Sequence, residues 1–371
     1  MKFSVHCGDL QRTLGKLGSV LPARSTMPIL ENILFDLKGN TLTLTATDLA
    51  VSMTVGMAVQ GVEDGKIAIP AKRILDTVRS LTDQTVSFVI DTTANRVTLT
   101  TSNGHYNLTA EPAKEYPQLP PFQAHVQITL TTDSLRRIIQ RTAFAVSTDE
   151  LRPAMGGVLL QVKEDGLRAV STDGHRLVRL IRRDLSSAQL KKDIIIPAKA
   201  LTILGRSMDG ASTELGVSDT HIRFVFDTTT LTSRLIEETY PNYESVIPSE
   251  NDKILEVHRD EMITSIRRVA LYASASTHQV RLTASPEALE VSAQDVDFGG
   301  EARETLKATY NADPLEIGFN STYLIDILTH LDSERVRLSF SAPTRAALVS
   351  PVQQPEDEDV IMLVMPVRLN T

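Results

Sequence analysis

Ile67 to Leu81 reads IAIPAKRILDTVRSL, Ile194 to Met208 reads IIIPAKALTILGRSM, and Ile317 to Leu331 reads IGFNSTYLIDILTHL. The three stretches align without a gap. Each is a short apolar strand, then Pro or Asn, a small residue, and a helix. Proline suits a helix start because its missing N–H would be unpaired there anyway. Residues 33–48 (ILFDLKGNTLTLTATD), 158–173 (VLLQVKEDGLRAVSTD) and 280–295 (VRLTASPEALEVSAQD) recur at the same interval and close on Asp48, Asp173 and Asp295. A third set opens each unit, with helices starting near Asp9, Asp133 and Asp260 and an acid placed for the N-cap or first turn. Asp48 to Asp173 is 125 positions and Asp173 to Asp295 is 122, while the two Ile intervals are 127 and 123. Landmarks that move together define three homologous domains, expected at 1–123, 124–251 and 252–371.

Working outward, Thr41-Leu42-Thr43-Leu44-Thr45 and Val97-Thr98-Leu99-Thr100 alternate with period two, the pattern of half-buried antiparallel strands. Leu10, Leu14, Leu17 and Leu21 share one face of a 3.6-residue helix. Tyr116 to Pro121, and Pro241 to Pro248 with the following Ser249 to Asp252, read as linkers. The class is α+β, with helices on one face of antiparallel sheets.

The 371 residues carry no apolar run approaching the roughly 18 residues that cross a bilayer. Met1 to Val5 lacks the layout of a secretory signal. Cys7 is the only cysteine, which excludes an intrachain disulfide and points to a reducing, cytoplasmic setting.

The formal charge is −8, which taken as an average argues against a polyanionic partner. Its distribution argues otherwise. Six helices are expected at 8–21, 70–82, 132–145, 197–208, 259–272 and 321–332. Together they hold thirteen basic and seven acidic residues, net +6, which leaves −14 on the rest. Cations on helices serve solubility often enough that this alone carries little. Repetition in three units carries more. If the repeats close into a ring with sheets outside and two helices per domain inside, two chains supply twelve helices. At roughly 10 Å each their axes lie on a circle about 38 Å across, and the hole admits a nucleic-acid duplex. Lys and Arg facing that hole would meet phosphates without reading bases.

Several strings resemble the beta sliding clamp of bacterial DNA polymerase III: Arg24 with Met27-Pro28-Ile29-Leu30, Thr172-Asp173-Gly174-His175-Arg176-Leu177, Tyr240-Pro241-Asn242-Tyr243, Ile317-Gly318-Phe319-Asn320 with Tyr323, and Met365-Pro366-Val367-Arg368-Leu369. The resemblance runs the whole length in register. It implies a non-catalytic, cofactor-free processivity factor, a head-to-tail homodimer around duplex DNA. Replicative polymerase, clamp loader and repair proteins would bind it through linear peptides, and it would associate with the nucleoid during replication. Carried over by position, the peptide pocket is Met155, Thr172, Gly174, His175, Arg176, Leu177, Pro241, Val246, Asn320, Tyr323, Thr344, Val364, Met365, Pro366 and Leu369. Met and Leu would give an adaptable floor, and a few polar groups would orient an extended backbone. Tyr106 facing Leu271 and Tyr272 would form the dimer core. The DNA contacts expected are Arg24, Lys72, Arg73, Arg79, Arg136, Arg137, Arg141, Lys199 and Arg206. The chain departs from the family at Ser245 and Thr277 in the pocket, at Asp149, Pro153 and Ala154 near DNA, and in the Asn370-Thr371 extension.

Rival readings have less support. Asp173-Gly174-His175 could be catalytic or metal-binding, but the eight His are scattered without ligand spacing, and a turn capped by its own Asp explains it. No GxxxxGK[ST], GxGxxG or GxSxG string is present. Lys72 and Lys199, in matching places after Pro-Ala, are as readily solvated first-turn residues as phosphate contacts. The alternative to a clamp is a repeat-built scaffold that binds only proteins.

Overall fold

The computed structural model describes residues 1–369 apart from 23, 186–191 and 296–298. The Asn370-Thr371 extension lies outside the described residues. Among the described residues six α-helices form at the expected places, α1 (Cys7–Gly18), which stops short of the expected Leu21, α2 (Ala71–Ser80), α3 (Thr132–Thr142), α4 (Ala198–Ser207), α5 (Arg259–Val269) and α6 (Ser321–Thr329). The ends expected further on at 145 and 272 belong to single 3-10 turns, Ala143–Ala145 and Ala270–Tyr272. Asp9, Asp133 and Asp260 lie in first turns, where their charge meets the positive end of the helix.

The chain folds as two compact units, one of Met1–Arg136 with Lys199–Leu235 and one of Arg137–Ala198 with Ile236–Thr371. The second repeat is therefore shared between them, and strand pairing gives the reason. In the first unit, β1 (Val51–Ala58) of the first repeat pairs antiparallel with β4 (Thr229–Arg234) of the second, completing a nine-stranded sheet. A five-stranded sheet in the same unit ends on β2 (His105–Thr109). In the second unit, β3 (Arg176–Arg182) of the second repeat pairs with β6 (Glu358–Val364) of the third inside a twelve-stranded sheet. That sheet also contains β5 (Gly300–Tyr310). Backbone N–H and C=O groups that one repeat leaves open are thus satisfied by the next, as a buried strand edge requires.

Each sheet packs its apolar alternate residues under helices. Leu10, Leu14 and Leu17 of α1 and Ile74 and Val78 of α2 are buried in the first unit. In the second, Met262, Ile266 and Val269 of α5 and Leu324, Ile327 and Leu328 of α6 do the same. At about 25 cal/mol per Å², each fully buried Leu or Ile contributes ~2 kcal/mol.

Candidate functional site

The turn after strand Gly166–Thr172 organises the expected pocket residues of the second unit. Asp173 Oδ1 accepts the N–H groups of His175 at 2.8 Å and Arg176 at 2.9 Å, the self-capped turn that the sequence implies. Gly174 takes φ +90°, and a Cβ there would approach Arg152 Nη1 at 3.2 Å and Met155 Cε at 3.8 Å. Thr172 Oγ1 donates to the Arg176 carbonyl at 2.7 Å and accepts from the Gly174 N–H at 3.1 Å.

Arg176 is buried and held on every side. Its guanidinium donates to Asp173 at 3.1 Å, to Asp326 at 2.6 Å and to the Phe144 carbonyl at 3.0 Å. It also lies over the rings of Tyr323 and Phe144, 5.0 and 5.2 Å from their centroids. Such full pairing is what allows a charge to be buried. His175 stacks on Tyr323 at 5.6 Å. Asn320 caps α6 by accepting from Thr322 and Tyr323.

The C-terminal segment closes one side. Met365 N–H donates to the His175 carbonyl at 2.8 Å, and Val367 N–H donates to the Gly318 carbonyl at 2.9 Å. Leu369 sits so near Gly318 that a Cβ there would be 2.8 Å from its Cδ2. Leu177 and Leu363 belong to a buried cluster with Leu159, Val170, Ile195, Tyr243 and Ala346. Burial pushes the Tyr243 and Tyr240 hydroxyls above the usual phenol range, so both stay neutral at working pH. Val246 and Met365 remain exposed beside this cluster, although both are apolar. Pro241 and Thr344 are exposed; Pro366 is half-buried, and Val364 lies buried opposite Arg176. Ser245 and Thr277 are also exposed. Sequence reading missed Arg152, Phe144 and Asp326. Asp326 reaches Arg176 across 150 positions, a distance at which no spacing rule operates.

The cations divide into free and committed. Arg24, Lys72, Arg73, Arg79 and Arg206 are exposed. Lys199, about half exposed, pairs with Asp48. Arg136 is shared between Asp133 at 2.8 Å and the Met208 carbonyl at 3.3 Å. Arg137 is bidentate on buried Glu358, at 2.5 and 3.1 Å, which raises its pKa further. Arg141 corrects the expectation. Its side chain is 4% exposed, beside Glu358 and donating to the His330 carbonyl and to Asp332 at 2.7 Å. Desolvation lowers its pKa, and a guanidinium so enclosed has no face left for a phosphate.

Tyr106 on β2 is 39% exposed, and Leu271 and Tyr272, in the 3-10 turn just after α5, are 81% and 48% exposed. Among the described residues β2 pairs only with Arg96–Thr100. β5 pairs along one side with Ala288–Asp295, but on the other only from Ala308 to Tyr310. No group of three or more His, Cys, Asp or Glu among the described residues could hold a metal.

Three tandem sheet-and-helix repeats, joined by strands that pair from one repeat to the next, define a clamp-type architecture. Models of the DNA polymerase III beta subunit match its N-terminal domain at 1–120, its central domain at 129–242 and its C-terminal domain at 244–368. The beta sliding clamps of Vibrio cholerae and Pseudomonas aeruginosa are 30% and 31% identical, each over the whole of both chains. The crystal structure of the Bartonella birtlesii sliding clamp bound to griselimycin superposes with a TM-score of 0.94 at 31% identity, covering both chains fully. A P. aeruginosa clamp gives 0.92 at 29%, again over both chains. The chain belongs to the DNA polymerase III beta subunit family. It is a three-domain DNA sliding clamp, a processivity factor and not an enzyme.

Proposed function

We propose that two copies join head to tail into a ring that encircles duplex DNA. The observation that carries this is a junction used twice within one chain. Leu231 of β4 stands opposite Met53 of β1, and Met362 of β6 stands opposite Val178 of β3. Met53 and Val178 are equivalent positions: they face Ala46 and Ser171, each two residues before the repeat's Asp. Leu231 and Met362 are equivalent too, facing Phe224 and Val349 in the preceding strands. The first repeat's counterpart of Leu231 is Tyr106, and the third repeat's counterpart of Met53 is Ala302. Both strands have an open side at these positions. The same register between copies puts Tyr106 opposite Ala302 of a second chain, with Tyr272 beside Gly300 to pack on the tyrosine. Closing both edges pairs the two junction strands, and a two-fold operation completes a ring of six repeats.

Arg24, Lys72, Arg73, Arg79 and Arg206 then act as sequence-neutral phosphate contacts, with Arg136, Arg137 and Lys199 contributing a partly neutralised field. The groove from Gly174 to Leu369 takes linear peptides of the replicative polymerase, the clamp loader and repair proteins. Its exposed Val246 and Met365 supply apolar contact, and His175 and Asn320 supply polar orientation. No helix among the described residues is long and apolar enough to cross a membrane, consistent with work on the chromosome in the cytoplasm.

Two experiments test the reading. Light scattering should give twice 40.8 kDa; a stable monomer would count against the ring. In a Tyr106→Cys/Ala302→Cys variant, oxidation should yield a covalent dimer, because the one native thiol, Cys7, is buried. Cross-linking at one of these cysteines paired with a cysteine two positions off, but not at this pair, would refute the register.

A further inference from the structure

The repeats differ in how well they fill one place on their sheets. In the second repeat, Leu159, Val170, Ile195 and Tyr243 pack together there, with Tyr243 5% exposed. The equivalent residues of the first repeat are Leu34, Thr45, Ala68 and Leu119. Thr for Val, Ala for Ile and Leu for Tyr remove volume, and Leu119 stays 42% exposed rather than plugging the space. Ile29, larger than its counterpart Ala154, restores only part of it. An open cavity of about 520 Å³ results, lined by Leu34, Thr45, Tyr116 and Leu119 among others. The only charged side chains on its wall are Lys66 and Lys114. Lys66 pairs at 3.1 Å with half-buried Asp36, a surface contact of little strength, and Lys114 is exposed.

We propose that this first-repeat cavity is a second peptide-docking site, selective for an extended segment with an apolar side chain followed by a carboxylate. Shape and charge both support that occupant. The floor accepts one or two large apolar side chains, and the rim offers cations alone. Tyr116, whose hydroxyl donates to the Thr45 carbonyl at 3.1 Å, anchors the wall as Tyr243, donating to Gln161 at 2.9 Å, does in the second repeat. The inference rests on the peptide-binding reading of the groove, and its test separates the two.

The probe is a fluorescein-labelled hexapeptide of two leucines, a phenylalanine and terminal aspartates, titrated against the full-length protein with anisotropy as readout. The wild type should take up two peptides per chain. Deletion of residues 365–371 should leave one. Adding Ala68→Ile, which restores the residue of the second repeat, should abolish that one. Adding Lys114→Glu instead, at an exposed position that folding does not depend on, should weaken it roughly three- to tenfold and raise its salt sensitivity. If the tail deletion removes all binding, the cavity is no site and the groove reading stands. Residual binding indifferent to both substitutions would also overturn the proposal. No binding to the wild type would refute groove and cavity together.

Discussion

Arg141 and Arg79 both sit on cation-rich helices, yet only one is available to a ligand. Arg79 is exposed near the end of α2, whereas Arg141 is enclosed by Asp332, Glu358 and the His330 carbonyl. Arg141→Ala removes the bonds to the His330 carbonyl and Asp332 while Glu358 keeps its bidentate pair with Arg137, so the second unit should lose about 1–3 kcal/mol, read as a fall in denaturant midpoint. DNA retention per folded molecule should not change. Tyr116 gives a second residue-scale prediction. Burial holds its hydroxyl above the ordinary phenol range, so the folded state keeps a proton that the unfolded chain releases above pH about 10. The native form then binds more protons than the unfolded one, and stability must fall as pH rises past that point. Tyr116→Phe loses the bond to the Thr45 carbonyl, worth about 1 kcal/mol at pH 8. It should also flatten the alkaline decline, both measurable by calorimetry at pH 8 and 10.5.

Helices and strands were legible to different extents. The strand–helix transitions at Ile67, Ile194 and Ile317 formed where the sequence places them, because local periodicity and a helix-start proline or asparagine specify them. The Asp173 turn was legible for the same reason. Strand exchange between repeats was not. β1 and β4 pair across nearly 180 positions, and nothing in either strand's alternation names its partner. Burial of Arg141 was hidden alike, since its acidic partners lie about 190 or more positions away. At the element scale, α2 is the cleanest test of the DNA face. Lys72→Glu, Arg73→Glu and Arg79→Glu together should leave the melting temperature near its starting value. Binding to duplex DNA should weaken, and, with six cations lost per two-chain ring, the slope of log affinity against log salt should become shallower by up to about 5. An unchanged slope would remove α2 from the interface.

For the whole molecule, an acidic chain that holds DNA does so by topology, with its cations gathered on helices and its excess acid on the remainder. In the proposed ring the twice-repeated junction supplies the closure, and the proposed groove supplies the tether to partners. Retention on DNA that has no ends tests this most directly. Loaded onto nicked circular duplex by its clamp loader, the protein should stay bound through gel filtration at a salt concentration that strips ordinary electrostatic binders. It should be lost when the circle is cut once. Equal retention on circular and linear DNA, or none on either, would contradict encirclement.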